Sequence, residues 1–318
     1  MTREDAGHAL RDPVATVIVP WGGPGLEIGA CLASLAAQSC SFPFDVIVVD
    51  AAPALGRALA LPEGMRRVDA PHALPPGAAR NAGAAATPAK ILAFLDSDCV
   101  AEPRWLEQAV AALGDGRVLV GGPVGDVLPW HPIAAIDNLL QFAEQGPRRR
   151  SGNAAYLPAC SMATTADVFG QCSGFPETMP VGEDVAFCLS VAARHPGGLR
   201  FVREMRIRHL GRRSLPAFVA HQISFGWARA VTGYFLPDGA RRAGRHAWAI
   251  PLVAGKRFLF LLRRTIAVNP PALLRIVCFF PVLGVGLIGW AYGFHAGCRE
   301  VHADESARGE TVGGGQRE

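Results

Sequence analysis

The sequence of 318 residues contains eight cysteines but no Cys-x-x-Cys pair: Cys31, Cys40, Cys99, Cys160, Cys172, Cys188, Cys278 and Cys298. Most stand in apolar surroundings, so they are expected to be reduced core residues rather than a disulfide framework or a zinc site. Also missing are the G-x-G-x-x-G fingerprint and the Lys-Ser/Thr of a P-loop. The stretch Gly22-Gly23-Pro24-Gly25 fits neither and is taken as a connecting loop. Residues 1–12 are polar, of mixed charge and without an apolar h-region. No secretory signal is visible there, a flexible N-terminus is expected, and the catalytic portion is expected in the cytoplasm. Acids are scarce between Arg194 and Arg275, where sixteen Lys or Arg face two acids although the whole chain is only +4. That stretch should face anions. It shows no nucleic-acid-binding motif and runs into an apolar segment, so an anionic membrane surface and a phosphate-bearing substrate are preferred to nucleic acid as partners.

What is present is apolar for a globular chain: 50% of residues are hydrophobic, 18% are charged, and the mean hydropathy is +0.22. The length allows one large core or two modest ones. Residues 14–20 have the pattern of a strand, 26–38 of a helix with apolar positions at Leu26, Ile28, Leu32 and Leu35, and Phe44 to Asp50 of a second strand. This is a strand–helix–strand unit of parallel-crossover length. A strand at 67–70, a helix at 77–86 and the run Ile91-Leu92-Ala93-Phe94-Leu95 continue an alternation that predicts an open, mostly parallel α/β sheet with flanking helices. A helix at 104–113, a strand at 118–120 and a helix at 133–142 come next, then the basic run Arg148-Arg149-Arg150 as a surface loop.

In the second half, Gly182-Glu183-Asp184 opens a helical stretch at 185–193, residues 199–203 are strand-like, and 214–231 are helical. Residues 245–264 have cations bracketing apolar runs, which suits a helix lying in a membrane interface. Residues 270–296 carry one ionised side chain, Arg275. That stretch is long enough to cross a bilayer, for which about 20 residues are needed. Pro281 and the glycines leave a tilted or re-entrant helix open, with a buried hairpin as the soluble alternative. Arg263 and Arg264 are then expected on the cytoplasmic side, with Arg275 snorkelling toward the same face.

Asp96-Ser97-Asp98 puts two carboxylates where an apolar, buried strand emerges. Ligands bind beyond the carboxyl ends of such strands. A hard divalent cation takes oxygen ligands and shares the phosphates of its substrate, so the pair suits a metal-bound nucleoside diphosphate. A solvated turn with two capping aspartates is the structural alternative. Cys99, directly after the pair, is taken as a small packing residue, with a soft ligand or reactive thiol as the alternatives.

Taken together, Val17-Ile18-Val19-Pro20, Val46-Ile47-Val48-Val49-Asp50, Ala79-Arg80-Asn81-Ala82-Gly83, Phe94-Leu95-Asp96-Ser97-Asp98, Gly174-Phe175 and Gly182-Glu183-Asp184 stand in an order and spacing that resembles family 2 glycosyltransferases of the GT-A fold, over residues 14–230. The resemblance implies that Asp50 hydrogen-bonds the donor base and that Arg80 lies near the base and diphosphate. Asp96 and Asp98 would form the metal motif for Mg²⁺ or Mn²⁺, Asp98 most directly. Asp184 would be the catalytic base, with Glu183 beside it, and His209 would stand near the metal and diphosphate. A surface or satisfied histidine is the alternative for His209. Sugar transfer needs a base for the acceptor hydroxyl and a positive group at the departing diphosphate. Arg212 or Arg213 could assist the latter, lipid headgroup contact being their alternative.

The pattern departs from the family at Gly22, where an aromatic residue is usual, and at Ala51, where a second acid is frequent. Trp21 could supply the missing stacking face or could be packing. The Gln-x-x-Arg-Trp motif of processive synthases is absent, Gln222 being followed by Ile223-Ser224-Phe225-Gly226-Trp227. The expectation is therefore an inverting, non-processive transferase at the cytoplasmic face of the cell membrane, acting in cell-surface glycan biosynthesis. It would move sugar from a nucleoside-diphosphate sugar to a lipid-linked or membrane-proximal acceptor. The rivals are a nucleotidyltransferase, whose glycine-rich phosphate loop is lacking, and a catalytically silent membrane scaffold. The expected division is a GT-A domain at 13–235, with a nucleotide-binding half at 13–100 and an acceptor half at 101–235. A membrane-associated helical region at 236–298, amphipathic or transmembrane, and a disordered tail at 299–318 would complete the chain.

Overall fold

The computed structural model describes residues 13–22, 28–56, 59–237 and 239–313. The expected flexible N-terminus, the loop from Gly23 and the end of the tail from residue 314 lie outside them. The first elements are β1 (Ala15–Trp21), α1 (Gly29–Ala36), β2 (Phe44–Asp50), β3 (Met65–Asp69), α2 (Pro76–Ala85), β4 (Ile91–Leu95), β5 (Cys99–Ala101) and α3 (Trp105–Gly114). Then come β6 (Leu119–Gly121), β7 (Val124–Asp126), α4 (Pro132–Gln141), β8 (Gly152–Asn153), β9 (Ser161–Thr165), α5 (Ala166–Gln171), α6 (Glu183–Arg194), β10 (Leu199–Phe201) and β11 (Ile207–His209). The chain closes with α7 (Leu215–Thr232), α8 (Ala240–Gly244), α9 (Ala249–Val268), α10 (Leu273–Cys278) and α11 (Phe280–Gly313). They form two compact units. The first comprises Met1–Gly122, Ser151–Met179 and Ala186–Ile207, and the second Pro123–Arg150, Pro180–Val185 and Arg208–Glu318.

The first unit is built on an eight-stranded sheet of order β3-β2-β1-β4-β9-β6-β10-β8. β1 pairs parallel with both β2 and β4, and β2 parallel with β3. β1, β2 and β4 are aliphatic runs because helices and loops cover both faces, leaving no wet side to demand alternation. β4 differs from the expected strand of a parallel sheet in one respect: its other neighbour, β9, is antiparallel, so β4 marks where the sheet changes character. The sequence does not announce β9, since Ser161, Thr164 and Thr165 dilute its apolar signal. Chain order reverses between β1 and β4, which makes the carboxyl ends of these strands the switch point where such sheets bind ligands. One core runs beneath, with Ile18, Ile47, Phe94, Phe175, Phe187 and Phe201 fully enclosed. α2 lies hard against this sheet. A Cβ on its Gly83 would come within 2.4 Å of the Ile18 side chain, so only glycine lets the helix approach that closely.

The second unit is helical. α7 starts at Ser214, whose hydroxyl accepts from the Ala217 N–H, and stops at Gly233, whose φ of 70° turns the chain out of the helix. It packs parallel to α11 along a seam of glycines. Gly286 meets Phe218, Gly289 meets Gln222, and a Cβ on Gly293 would stand 2.0 Å from the Ile223 carbonyl oxygen. From the other side, a Cβ on Gly226 would stand 1.9 Å from the Trp290 carbonyl oxygen. The glycines expected to loosen a membrane helix instead bring two backbones into contact. This is also why the second unit begins before residue 236: α4 and α7 share their core with α9, α10 and α11 through Ile136, Leu140, Phe218, Leu261, Ile276 and Leu283.

Two expectations for the C-terminal region change, and one stays open. Arg275 does not snorkel: it is buried and ion-paired with Asp126, because a carboxylate within the unit can balance the charge there. Within 270–296 the chain bends by 93° between Pro270–Cys278 and the helix from Phe280; no single described helix is long and apolar enough to cross a membrane, and this bent pair has the length and composition of a broken span or re-entrant loop, which leaves the re-entrant alternative standing. Beyond residue 299 the chain continues as helix to Gly313. The Trp227 indole N–H donates to Glu300 at 2.7 Å, and Arg245 reaches His302 at 2.9 Å, which ties down a segment whose composition alone looks unstructured.

Candidate active site

In the first unit the expected donor-site residues stand at the carboxyl ends of parallel strands: Trp21 closes β1, Asp50 closes β2, and Asp96 comes directly after β4. Asp96 to Cys99 is a tight turn closed by the Cys99 N–H donating to the Asp96 carbonyl at 2.9 Å, with Ser97 buried inside it. The Arg80 side chain, only 4% exposed, donates to Asp96 Oδ1 at 2.6 Å. Its guanidinium also lies 5.5 Å from the centre of the Phe175 ring. Asn81, next on α2, brackets the same residue: its Nδ2 donates to the Phe175 carbonyl at 2.8 Å and its Oδ1 accepts from the Phe175 N–H at 2.9 Å. Gly174, with φ of 63°, completes the bracket, since a Cβ there would meet Asn81 Oδ1 at 2.7 Å. The motifs Ala79–Gly83, Gly174-Phe175 and Asp96-Ser97-Asp98 are thus one hydrogen-bonded assembly whose output is the position of Asp96.

Asp50 is fully buried, its Oδ1 accepting from the Ala52 N–H at 3.0 Å and its Oδ2 from Arg67 at 2.8 Å. Arg67 also binds Asp69 and lies 5.9 Å from the centre of the Trp21 ring. Trp21 is only 4% exposed, which identifies its ring with packing rather than with an open stacking face. Arg67 is a neighbour of Asp50 that the sequence does not single out, because nothing in a strand pattern shows which cross-strand cation will meet it. The two departures from the family pattern turn out to be neighbours: a Cβ on Gly22 would lie 3.3 Å from the Ala51 Cβ. A missing aromatic ring and a missing acid therefore concern one small region of the strand ends.

The thiols near the aspartate turn are not nucleophiles. Burial, reinforced by Asp98 and Asp96, pushes the Cys31 thiol far up, and burial with Cys160 alongside does the same to Cys99. Without a metal, Cys99 is a protonated, enclosed thiol at neutral pH, and its Sγ lies 3.9 Å from Asp98 Oδ1, so its soft-ligand alternative stands beside packing.

In the second unit, Glu183 and Asp184 form the first turn of α6, where the helix dipole favours negative charge. Glu183 is buried and Asp184 partly so, with Asp184 Oδ1 accepting from the Val185 N–H at 2.8 Å. His209 is buried against the edge of Phe142. Asn138 Nδ2 donates to the His209 carbonyl at 3.0 Å, which fixes the amide so that Oδ1 faces the ring Nδ1 at 2.7 Å. That short contact requires a proton on Nδ1 and outweighs the Gly211 N–H approaching the same nitrogen at 3.0 Å. The imidazole then keeps its lone pair on Nε2, the form a metal ligand needs.

Arg212 is committed elsewhere: its backbone N–H and guanidinium both donate to Asp137 Oδ2, at 3.1 and 3.2 Å. Asp137 Oδ1 also pairs with His221 Nδ1 at 3.0 Å and accepts from Gln222 Nε2 at 3.2 Å. Burial alone would raise this carboxyl, but His221 and Arg212 bring it down to about 2, whereas burial holds the His221 imidazole below its usual range. Asp137-Asn138 was legible in principle, as adjacent polar residues on the apolar face of α4. Their partners, some 75 residues on, were not.

A divalent cation fits these residues by donor chemistry. Asp96, engaged by Arg80, and Asp98 offer carboxylate oxygens, the donors that suit a hard cation such as Mg²⁺ or Mn²⁺.

Residues 16–170 match the profile of glycosyl transferase family 2. The pre-mycofactocin glycosyltransferase of Mycobacterium tuberculosis is 30% identical over 177 residues, covering 53% of this chain and 37% of that protein. Glycosyltransferase AglE of Haloferax volcanii is 32% identical over 109 residues, covering 34% and 36%. The chain thus spans little more than a third of the length of these curated relatives. Two solved structures share the fold: Staphylococcus aureus TarS 1–349 with UDP-GlcNAc (TM-score 0.52, 14% identity, 92% of each chain) and the mannosyltransferase PcManGT of Pyrobaculum calidifontis with GDP-Man and Mn²⁺ (0.51, 18%, covering 90% of this chain and 88% of that one). The strand order, the motif assembly and these matches lead to one conclusion: residues 16–170 carry the glycosyl transferase family 2 profile on a GT-A fold.

Proposed function

We propose that this protein transfers a single sugar, with inversion, from a nucleoside-diphosphate sugar to an acceptor hydroxyl, aided by Mn²⁺ or Mg²⁺. The observation that carries the reading is the Asp96-Ser97-Asp98 turn at the sheet's switch point, with Asp96 set by Arg80 and, through Phe175, by Asn81. Donors of this class occupy TarS and PcManGT, the latter with Mn²⁺. When bound, the cation supplies electrophilic stabilisation of the departing diphosphate. Asp98 and Asp96 would hold it, and Asp50 would stand on the side of the base. Asp184 would accept the proton of the acceptor hydroxyl as that oxygen attacks the anomeric carbon, with Glu183 supporting it. The acceptor is lipid-linked or membrane-proximal, at the cytoplasmic face of the membrane, in cell-surface glycan biosynthesis. The apolar helical surface of the second unit supports that part.

The test is nucleoside diphosphate release from a panel of nucleotide sugars, with Mn²⁺, Mg²⁺ or chelator, in membrane extract. Asp184→Asn is expected to lower release by ~10²–10⁴-fold, the usual contribution of a general base. Full activity in that variant would remove Asp184 from the role. Silence of wild type with every donor would favour a catalytically silent scaffold. A ladder of products from one acceptor would overturn single-sugar transfer.

A further inference from the structure

We propose that the second unit docks onto an anionic lipid surface without crossing it, pressing the elbow between α10 and α11 into the headgroup–acyl boundary while arginines at the end of α9 hold the headgroups. Of sixteen exposed large hydrophobic side chains among the described residues, fourteen belong to this unit. At the elbow Leu274, Val277 and Phe280 are more than half exposed, Val277 reaching 73%. Along α11, Val285, Ile288 and Tyr292 recur at helical spacing on the side away from the glycine seam. α9 adds Leu252, Leu259 and Ile266. Patches of this extent on soluble surfaces mark interaction sites.

Charge decides the occupant. Lys256 and Arg263 are exposed on the same face of α9 as Leu252 and Leu259, the arrangement of a helix that lies in a membrane interface. At the far end of α9 the Arg148 N–H donates to the Val268 carbonyl at 2.9 Å, and Arg264 binds Glu144 at 2.8 Å. These contacts bring the 148–150 loop beside the end of α9, where Arg148, Arg150, Arg263 and Arg264 are all exposed. An apolar elbow beside such a cationic rim complements anionic headgroups over acyl chains better than it complements a second copy of itself. The elbow is fixed rather than pliable: Arg275 on α10 is ion-paired with Asp126, and Phe258 of α9 packs edge-on to Phe280 with ring centres 6.2 Å apart.

Co-sedimentation of the full chain with vesicles tests this without donor or acceptor, so it stands or falls apart from sugar transfer. Vesicles of phosphatidylcholine with phosphatidylglycerol are expected to bind the protein, less so as salt rises, and phosphatidylcholine alone to bind it at least tenfold more weakly. Arg148→Gln and Arg150→Gln should each cost about 5-fold, from ~1 kcal/mol per cation near such a surface. Val277→Asp with Phe280→Asp should abolish sedimentation. As a readout on unaltered elbow residues, brominated acyl chains should quench Trp248 fluorescence, a signal lost in Trp248→Phe. Equal binding to both vesicles, undiminished binding of the elbow variant, or a stable dimer in place of vesicle binding would each overturn the proposal.

Discussion

Asp98→Ala is expected to lower metal-dependent nucleoside diphosphate release by ~10²–10³-fold, the loss seen when one preorganised stabiliser of transition-state charge is removed. The magnitude rests on Asp98 supplying a carboxylate oxygen to the cation, as the Asp96-Ser97-Asp98 turn suggests. Arg80→Gln should behave differently. It removes the cation that orients Asp96, which places it with outer residues that cost about 10- to 100-fold in metal affinity. Mn²⁺ titration followed by electron paramagnetic resonance separates the two variants without turnover. Unchanged Mn²⁺ affinity in Asp98→Ala would remove this residue from the metal role.

Asp137→Ala is expected to destabilise the protein by ~3–5 kcal/mol, the range for removing one partner of a buried charged pair. Its carboxylate engages the Arg212 backbone and guanidinium, His221 and Gln222, and alanine would leave buried groups of α7 without that partner. Denaturant unfolding measures the loss, and a change under about 1 kcal/mol, the scale of an exposed ion pair, would show that the network carries little. The network also sets a pH dependence. His221 is held below its ordinary 6.5 by burial, so the unfolded chain takes up a proton first and stability falls as pH drops below that value. Asp137, lowered to about 2 from 3.8, contributes stability that is full above its unfolded value and lost as pH falls through the folded one. His221→Gln should therefore flatten the fall of the melting temperature as pH drops below 6.5, and an unchanged slope there would contradict the assignment.

The parallel half of the sheet was legible because burial on both faces writes aliphatic runs directly into the chain: β2 and β4 occupy the residues their patterns indicate. β9 was not, because its neighbours β4 and β6 supply the pairing that its own Ser and Thr content does not advertise. The same division holds in the site. Asp96, Asp98 and Arg80 stand in local motifs, and the structure joins Arg80 to Asp96. Arg67 acquires its role from Asp50, 17 residues back on the neighbouring strand, and Asn138 from His209, 71 residues on, and no periodicity records such pairings. Arg275 shows the complementary error. A lone cation in an apolar run looks like a membrane snorkel until Asp126 is found beside it.

The glycine seam of α7 and α11 sets a timetable for synthesis. Its two halves lie roughly 70 residues apart, and at about 5–20 residues per second the ribosome needs about 4–14 s to deliver the second after the first. Throughout that interval Phe218, Gln222 and Gly226 have no α11 to lie against, although every strand of the first unit's sheet has already been made. Slowed elongation after residue 232 would lengthen that window and raise the fraction of nascent chains captured by chaperones, whereas slowing before residue 122 would not.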